Sequence, residues 1–374
     1  MAKIICISKY PPLEGGIAAK TFWLSKALAE RGHTIHVITD REDISPKYSI
    51  PTLKKELIPP NIIVHRPQNE IPWHIPNIPD RTLELLNITL QVINEYKVDV
   101  IDTGYLIPYG IVGYLTSKIT NIPFILRHGG SDIEKFLNND IWEQLLERAF
   151  AESSITITDQ KQLNKIQQLT SHIELLPPYV PNPSFFKPEP KTKKVKPILA
   201  LIGKANYYWQ HKGWHRIVEI IKFLGTQFEY LIISQGSGLE NFKKYVGKNI
   251  DFSIEWKSFI HPIEMPYIYK SIDGVFVFEQ DLPFSTYSNL IIEALYSGTI
   301  VITDKKDTIQ NISSYGLHID NNIHNLLIVP YNKAEVAAQN ILHFFNKYKE
   351  KEDNLFLKKS NYESYILENE KLFL

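Results

Sequence analysis

Apolar residues follow two rhythms along this chain. Short continuous runs alternate with stretches in which apolar positions recur every three or four residues. The runs Lys3–Ser8, Thr34–Thr39, Val98–Asp102, Pro123–Arg127 and Leu175–Val180 read as strands, as do Ile198–Ile202, Tyr230–Ser234, Val275–Phe278 and Thr299–Thr303. Runs this apolar belong to parallel strands covered on both faces. Between them, Ile17, Leu24, Ala27 and Leu28 mark one helix face that ends at Arg31-Gly32. Arg81–Tyr96, Tyr109–Ile119, Leu239–Val246, Ile263–Tyr269 and Ala334–Tyr348 read as further helices. Strand–helix–strand alternation predicts right-handed crossovers and an α/β, doubly wound parallel sheet.

The alternation runs through the chain twice. At 374 residues two domains are expected. Between the halves, Pro177–Pro197 holds seven prolines and five lysines, which excludes helix and reads as a solvated linker. The expected division is residues 1–180, a linker at 181–196, a second domain at 197–350, and a segment at 351–374 that crosses back to the first domain. Residues 40–80 are loop-rich, a surface elaboration or a recognition region.

Composition narrows the functional classes. Lys+Arg and Asp+Glu balance at 41 each, so no global field attracts nucleic acid or an anionic membrane. No basic–aromatic stripe suggests nucleic acid binding either. The single cysteine, Cys6, lies in an apolar run and reads as a small buried hydrophobe. No signal-peptide pattern and no run near the length of a membrane span are present, so a cytoplasmic protein is expected. Contact with the inner face of a membrane stays open. H-E-x-x-H, paired cysteines and D-x-D are absent.

Candidate chemistry gathers where predicted strands end, the usual ligand edge of an open α/β sheet. Gly15-Gly16 precedes a helix, where backbone N–H groups and the helix N-terminus suit an anion. No G-x-G-x-x-G follows, which argues against a dehydrogenase. His128 follows a strand and is bracketed by Arg127 and Gly129-Gly130, with Asp132 as a helix cap. Gly203-Lys204 and Lys212-Gly213 can flank a diphosphate, whose charge needs fixed cations when no metal is present. Gly236 and Gly238 form a G-x-G turn after the next strand. Asn289 and Leu290 open a helix that runs to Gly298, and Glu293 lies one turn in, placed to accept from a ligand hydroxyl pair.

In this order, these strings resemble family 4 of the retaining glycosyltransferases. KYPPLEGGIA is similar to that family's opening, RHGGSD to its H-G-x-D segment, and the Ser285–Glu293 stretch to its E-x7-E motif. Ser285 stands where the first glutamate belongs, and Lys204 replaces an arginine, keeping the charge without the bidentate fork. The resemblance implies a GT-B architecture, two Rossmann-like domains facing across a cleft. It implies a retaining, metal-independent transfer from a nucleoside-diphosphate sugar, a donor substrate rather than a cofactor. The acceptor is a saccharide or a lipid-linked saccharide. It places His128 on the donor sugar, Lys204 and Lys212 on the diphosphate, and Glu293 on the ribose. Gly15 and Gly16 lie along the reacting region, Gly203, Gly236, Gly238, Asn289 and Leu290 around the nucleotide, and Ser285 near the sugar. Glu279 and Asp281 are the carboxylates closest in sequence to the missing one. A catalytically degenerate binding or partner subunit, motivated by Ser285, and a nucleotide-sugar epimerase remain open at this point.

Overall fold

The computed structural model describes residues 1–42, 45–52, 57–67, 79–129, 132–137, 141–189, 195–279, 287–316, 323–347 and 359–374. They form two compact units. Unit 1 holds Met1–Val180, Ser314–Leu317 and Tyr362–Leu374, and unit 2 holds Pro181–Ser313 and His318–Asn361.

In unit 1 the strands are β1 (Lys3–Ile7), β2 (Thr34–Ile38), β3 (Ile62–His65), β4 (Val100–Thr103), β5 (Phe124–Arg127), β6 (Ile155–Thr158) and β7 (Ile173–Leu175). They pair in the order β3-β2-β1-β4-β5-β6-β7, every pair parallel. Helices α1 (Gly16–Glu30), α2 (Pro79–Glu95), α3 (Ile111–Thr120), α4 (Asp132–Phe136), α5 (Glu143–Glu152) and α6 (Leu163–Ile166) connect them. Ile5, Ile7 and Ile101 belong to the core that also holds Leu85, Val112 and Phe150 from α2, α3 and α5. Cys6 alternates to the other face and is buried, where loss of water pushes its thiol well above the ordinary range.

Unit 2 repeats the plan. Its strands are β8 (Ile198–Lys204), β9 (Glu229–Gln235), β10 (Glu255–Lys257), β11 (Gly274–Val277), β12 (Ile300–Thr303) and β13 (Leu326–Ile328), in the order β10-β9-β8-β11-β12-β13, again all parallel. Its helices are α7 (Trp214–Leu224), α8 (Leu239–Asn249), α9 (Met265–Ser271), α10 (Asn289–Tyr296), α11 (Thr308–Ser313) and α12 (Ala334–Lys347). On α7, Trp214, Ile217, Val218 and Ile221 are buried at helical spacing and pack with Phe242 of α8. Helix α10 ends in a Schellman turn. Gly298 takes φ 73°, its N–H donates to Leu295 O, and the Thr299 N–H donates to Ala294 O at 2.9 Å. The last helix, α13 (Lys359–Lys371), carries the chain's end into unit 1. Each sheet reverses its strand order once, at β1/β4 and at β8/β11, so loops diverge there and leave a crevice at the strand C-terminal ends.

Two expectations need correction. The strand expected over Leu175–Val180 lies at Ile173–Leu175, because Pro177 and Pro178 have no N–H for a ladder, and Leu176 N–H to Thr158 O is the last bond to β6. The proline-rich tract is not solvated throughout. Phe186 is fully buried 6.1 Å from the Tyr269 ring, and Lys270 pairs with Glu189 at 2.8 Å, both contacts within unit 2.

Candidate functional site

In unit 1, β1 leads into a loop that closes at Gly15, whose φ of 113° favours glycine although a Cβ would meet nothing there. Gly16 begins α1. The turn after β5 carries His128 and packs onto this corner. A Cβ on Gly129 would lie 2.4 Å from Ile17 of α1 and 2.8 Å from Tyr105 after β4, so a side chain there would push the corner apart. The structure thus brings Gly15, Gly16 and His128 to one rim.

Asp132, expected as a cap, is the first residue inside α4. Its fully buried carboxylate accepts from Gly129 N–H at 2.9 and 3.0 Å and from Leu106 N–H at 3.0 Å, tying the histidine turn to the segment after β4. Burial pushes its carboxyl up to about 6, against the pull of those N–H donors. Lys20, one turn into α1, lines the same cavity as His128, Gly129 and Arg127. Burial pushes its amine down to about 8, opposed by Asp159 and Asp132. The sequence reading passed over Lys20, although its spacing four residues from Gly16 puts it on the same helix face.

His128 Nε2 is 2.8 Å from Thr158 Oγ1, and its Nδ1 is buried with no hydrogen-bond partner among the described residues. Burial, then the Lys20 charge, push its pKa down to about 3. The ring is neutral near pH 7, suited to hydrogen bonding a hydroxyl rather than to donating an imidazolium proton. The folded pKa lies below the ordinary 6.5, so the unfolded chain takes up this proton first and stability falls as pH drops below 6.5. Asp132 and Asp159, both raised to about 6, act oppositely, adding stability as pH falls from 6 towards 4. His128→Asn removes only the first contribution. At pH 5 the substitution is expected to recover about 2 kcal/mol relative to its effect at pH 7.5. Urea unfolding of both proteins at the two pH values measures this, and parallel pH profiles would refute a His128 ring kept neutral by its surroundings.

In unit 2, β8 continues to Lys204, with Gly203 and Lys204 paired to Ser234 and Gln235 of β9. The two strand-end loops then meet backbone to backbone. Ala205 N–H donates to Gln235 O at 2.8 Å, and Gly238 N–H donates to Ala205 O at 2.9 Å. A Cβ on Gly236 would sit 2.3 Å from Ala205 O, and one on Gly238 2.0 Å from Asn206 O, so this approach requires both glycines. Lys212 Nζ donates to Lys204 O at 2.9 Å and lies 5.6 Å from the Trp214 ring centre. A Cβ on Gly203 would be 3.8 Å from that Nζ. Gly203, Lys204, Lys212, Gly236 and Gly238 therefore form one cluster at the ends of β8 and β9, with two half-buried cationic side chains in it.

Helix α10 opens with Asn289 and Leu290, both half-buried. Glu293 is 5% exposed and accepts a hydrogen bond from the fully buried Tyr269 hydroxyl at 3.0 Å, a partner the sequence did not suggest. The bond orients the carboxylate, and burial, followed by the neighbouring Glu293, pushes the Tyr269 phenol well above its ordinary pKa. Glu279 follows β11, and its N–H donates to Asp304 at 2.9 Å. Ser285 and Asp281 lie outside the described residues. Among the described residues, no group of three or more His, Cys, Asp or Glu could hold a metal ion, and no helix is long and apolar enough to cross a membrane.

Two doubly wound parallel-sheet units with strand order reversed at β1/β4 and β8/β11 define the GT-B fold, and the solved structures agree. The sucrose-phosphate synthase of Thermosynechococcus elongatus superposes with a TM-score of 0.67 at 17% identity, covering 100% of this chain and 98% of that one. TarM of S. aureus, in complex with Fondaparinux, alpha-GlcNAc-glycerol and UDP, gives 0.64 at 12% identity, with 100% of each chain covered. Anabaena HepE, in complex with UDP and glucose, gives 0.61 at 15%, covering 93% of this chain and 90% of that one. No curated protein sequence matches. Residues 19–160 match the family model described as glycosyl transferase 4-like.

Proposed function

We propose that the protein transfers a sugar from a nucleoside-diphosphate donor to a saccharide or lipid-linked saccharide hydroxyl, with retention of configuration and without a metal. The observation that carries this reading is the lysine–glycine cluster of unit 2, with Lys212 Nζ held 2.9 Å from Lys204 O beside glycines that expose backbone. Such a cluster suits a diphosphate. Lys204 and Lys212 offset the charge that grows on the leaving group as the bond from the sugar's C1 to the diphosphate oxygen breaks. The acceptor oxygen bonds to C1 on the same face, and its proton passes to the departing diphosphate oxygen. Glu293, oriented by Tyr269, takes the ribose hydroxyls. His128, neutral and with Nδ1 facing no partner among the described residues, takes a sugar hydroxyl. Ser285 at the family's glutamate position tunes donor choice. The setting is the cytoplasm, with contact at the membrane face when the acceptor is lipid-linked.

Ser285 also motivates a second reading, a binding or partner subunit that holds nucleotide without turnover. Thermal unfolding with UDP, GDP, ADP and CMP and their sugar conjugates separates the two. UDP is the first choice, since the HepE and TarM complexes contain it. At 100 times its Kd, a ligand adds roughly 2.7 kcal/mol. A shift with one nucleotide, together with transfer to an acceptor, supports the enzyme. A shift without transfer or hydrolysis supports the binding subunit, and no shift with any nucleotide overturns the enzyme and favours a partner subunit.

A further inference from the structure

Arg127 is the last residue of β5 and the direct chain neighbour of His128. Its guanidinium has two acceptors. Nε donates to Asp102 Oδ1 at 2.6 Å, and Nη1 donates to Asn369 Oδ1 at 2.8 Å, while Nη2 is buried with no partner among the described residues. Asn369 belongs to α13, 242 residues away in sequence, and is completely buried. Its own Nδ2 donates to Tyr365 O at 2.8 Å, which fixes the amide so that its oxygen faces the arginine.

The next residue, Glu370, fastens the same helix turn from another side. Arg31 Nε donates to one carboxylate oxygen at 2.8 Å, and His33 Nε2 lies 2.9 Å from the other. His33 Nδ1 accepts from Ala2 N–H at 3.1 Å, so its proton sits on Nε2 and points to Glu370. Tyr365, one turn back, forms part of the cavity wall shared by Cys6, Asp102, Arg127 and His128.

We propose that α13 is a positioning element for the His128 turn, acting through Asn369 and Arg127. Beside the Asp132 bonds to Gly129 N–H, the histidine turn is anchored by the ring bond to Thr158 and by the backbone at Arg127, whose side chain is aligned between Asp102 and Asn369. With the Asn369 oxygen removed, the guanidinium keeps only Asp102 and must rotate to satisfy its buried N–H groups. That rotation moves the end of β5 and with it His128. Asn369 and Arg127 are positioning residues and touch no substrate. Only the effect on turnover rests on the transferase reading above.

The test uses the full chain and three variants. Asn369→Leu removes the acceptor but keeps a branched side chain in the buried site, Arg127→Lys keeps the charge on Asp102 but loses the fork, and Glu370→Gln loosens α13 without touching Arg127. The imidazole resonances of His128, assigned by their loss in His128→Asn, are recorded for each, alongside thermal unfolding. They are expected to move in Asn369→Leu and Arg127→Lys and to stay in place in Glu370→Gln, although the last is also destabilised. Turnover of the donor should fall roughly 10- to 100-fold in the first two with donor KM within about threefold of wild type. Unmoved resonances in Asn369→Leu and Arg127→Lys would overturn the proposal, as would an equal displacement in Glu370→Gln. If the resonances move as expected but the wild-type protein transfers no sugar, the positioning role stands and the transferase reading falls.

Discussion

Replacing Lys212 with alanine is expected to lower kcat/KM for the nucleotide-sugar donor about 100- to 1,000-fold, the loss seen when one preorganised group facing developing charge is removed. Lys212 Nζ lies 5.6 Å from the Trp214 ring centre and donates to Lys204 O at 2.9 Å. An ammonium has three N–H donors, and this carbonyl accepts from one of them. Its position beside Gly203, where even a Cβ would be 3.8 Å away, brings it against bare backbone at the end of β8. Lys204→Ala should act in the same direction, and the double variant should lose less than the product of the two single losses, because the residues share one site. Both side chains are only half-buried, so unit 2 should remain folded, which circular dichroism verifies. Lys212→Arg should keep part of the activity, since charge persists while the single-point geometry changes. Calorimetry with UDP provides the binding side of the measurement. Turnover within threefold of wild type in the double variant would mean that the diphosphate is held elsewhere.

The largest stability effect is expected at Arg81. This residue is 1% exposed, and its Nε donates to Asp40 Oδ1 at 2.7 Å. Its Nη2 reaches the same oxygen, and Nη1 donates to Glu84 at 3.1 Å. The other Asp40 oxygen accepts from the Tyr109 hydroxyl at 2.5 Å. Burial, followed by the Asp40 charge, raises the Tyr109 phenol far above its usual pKa, so it stays a donor. Arg81→Ala leaves Asp40, itself 1% exposed, as a buried charge whose carboxylate keeps the Tyr109 bond, with the Arg66 guanidinium held nearby on the Asp40 carbonyl. Breaking one side of a buried pair costs about 3–5 kcal/mol. For a unit of this size that corresponds to a Tm lower by roughly 6–20 °C. The double variant Arg81→Met with Asp40→Asn removes both charges and should be more stable than Arg81→Ala, which a double-mutant cycle in urea would measure. A fall of under 1 kcal/mol in Arg81→Ala would show that Asp40 finds water in the folded state.

Much of this protein was legible in its residue order. Parallel strands covered on both faces read as continuous apolar runs, so β1, β2, β8, β9, β11 and β12 stand out without any tertiary information. A ligand edge is legible too, because glycines and a lysine pair can follow several such runs only at strand ends. The Schellman glycine at 298 follows from helix-end chemistry alone. Three-residue strands such as β10 and β13 carry too few positions to show a period, and proline moved β7 away from the apolar run that suggested it. The partners of the site residues belong to the tertiary structure. Tyr269 meets Glu293 across 24 residues, Leu106 meets Asp132 across 26, Asp40 meets Arg81 across 41 and Arg127 meets Asn369 across 242. Strand order and helix docking set those pairings, and no local spacing encodes them. Residue order alone places these groups at the strand ends. Which of them are neutral, oriented or clasped depends on the folded chain, because hydrogen bonding and loss of water require neighbours that only folding brings near.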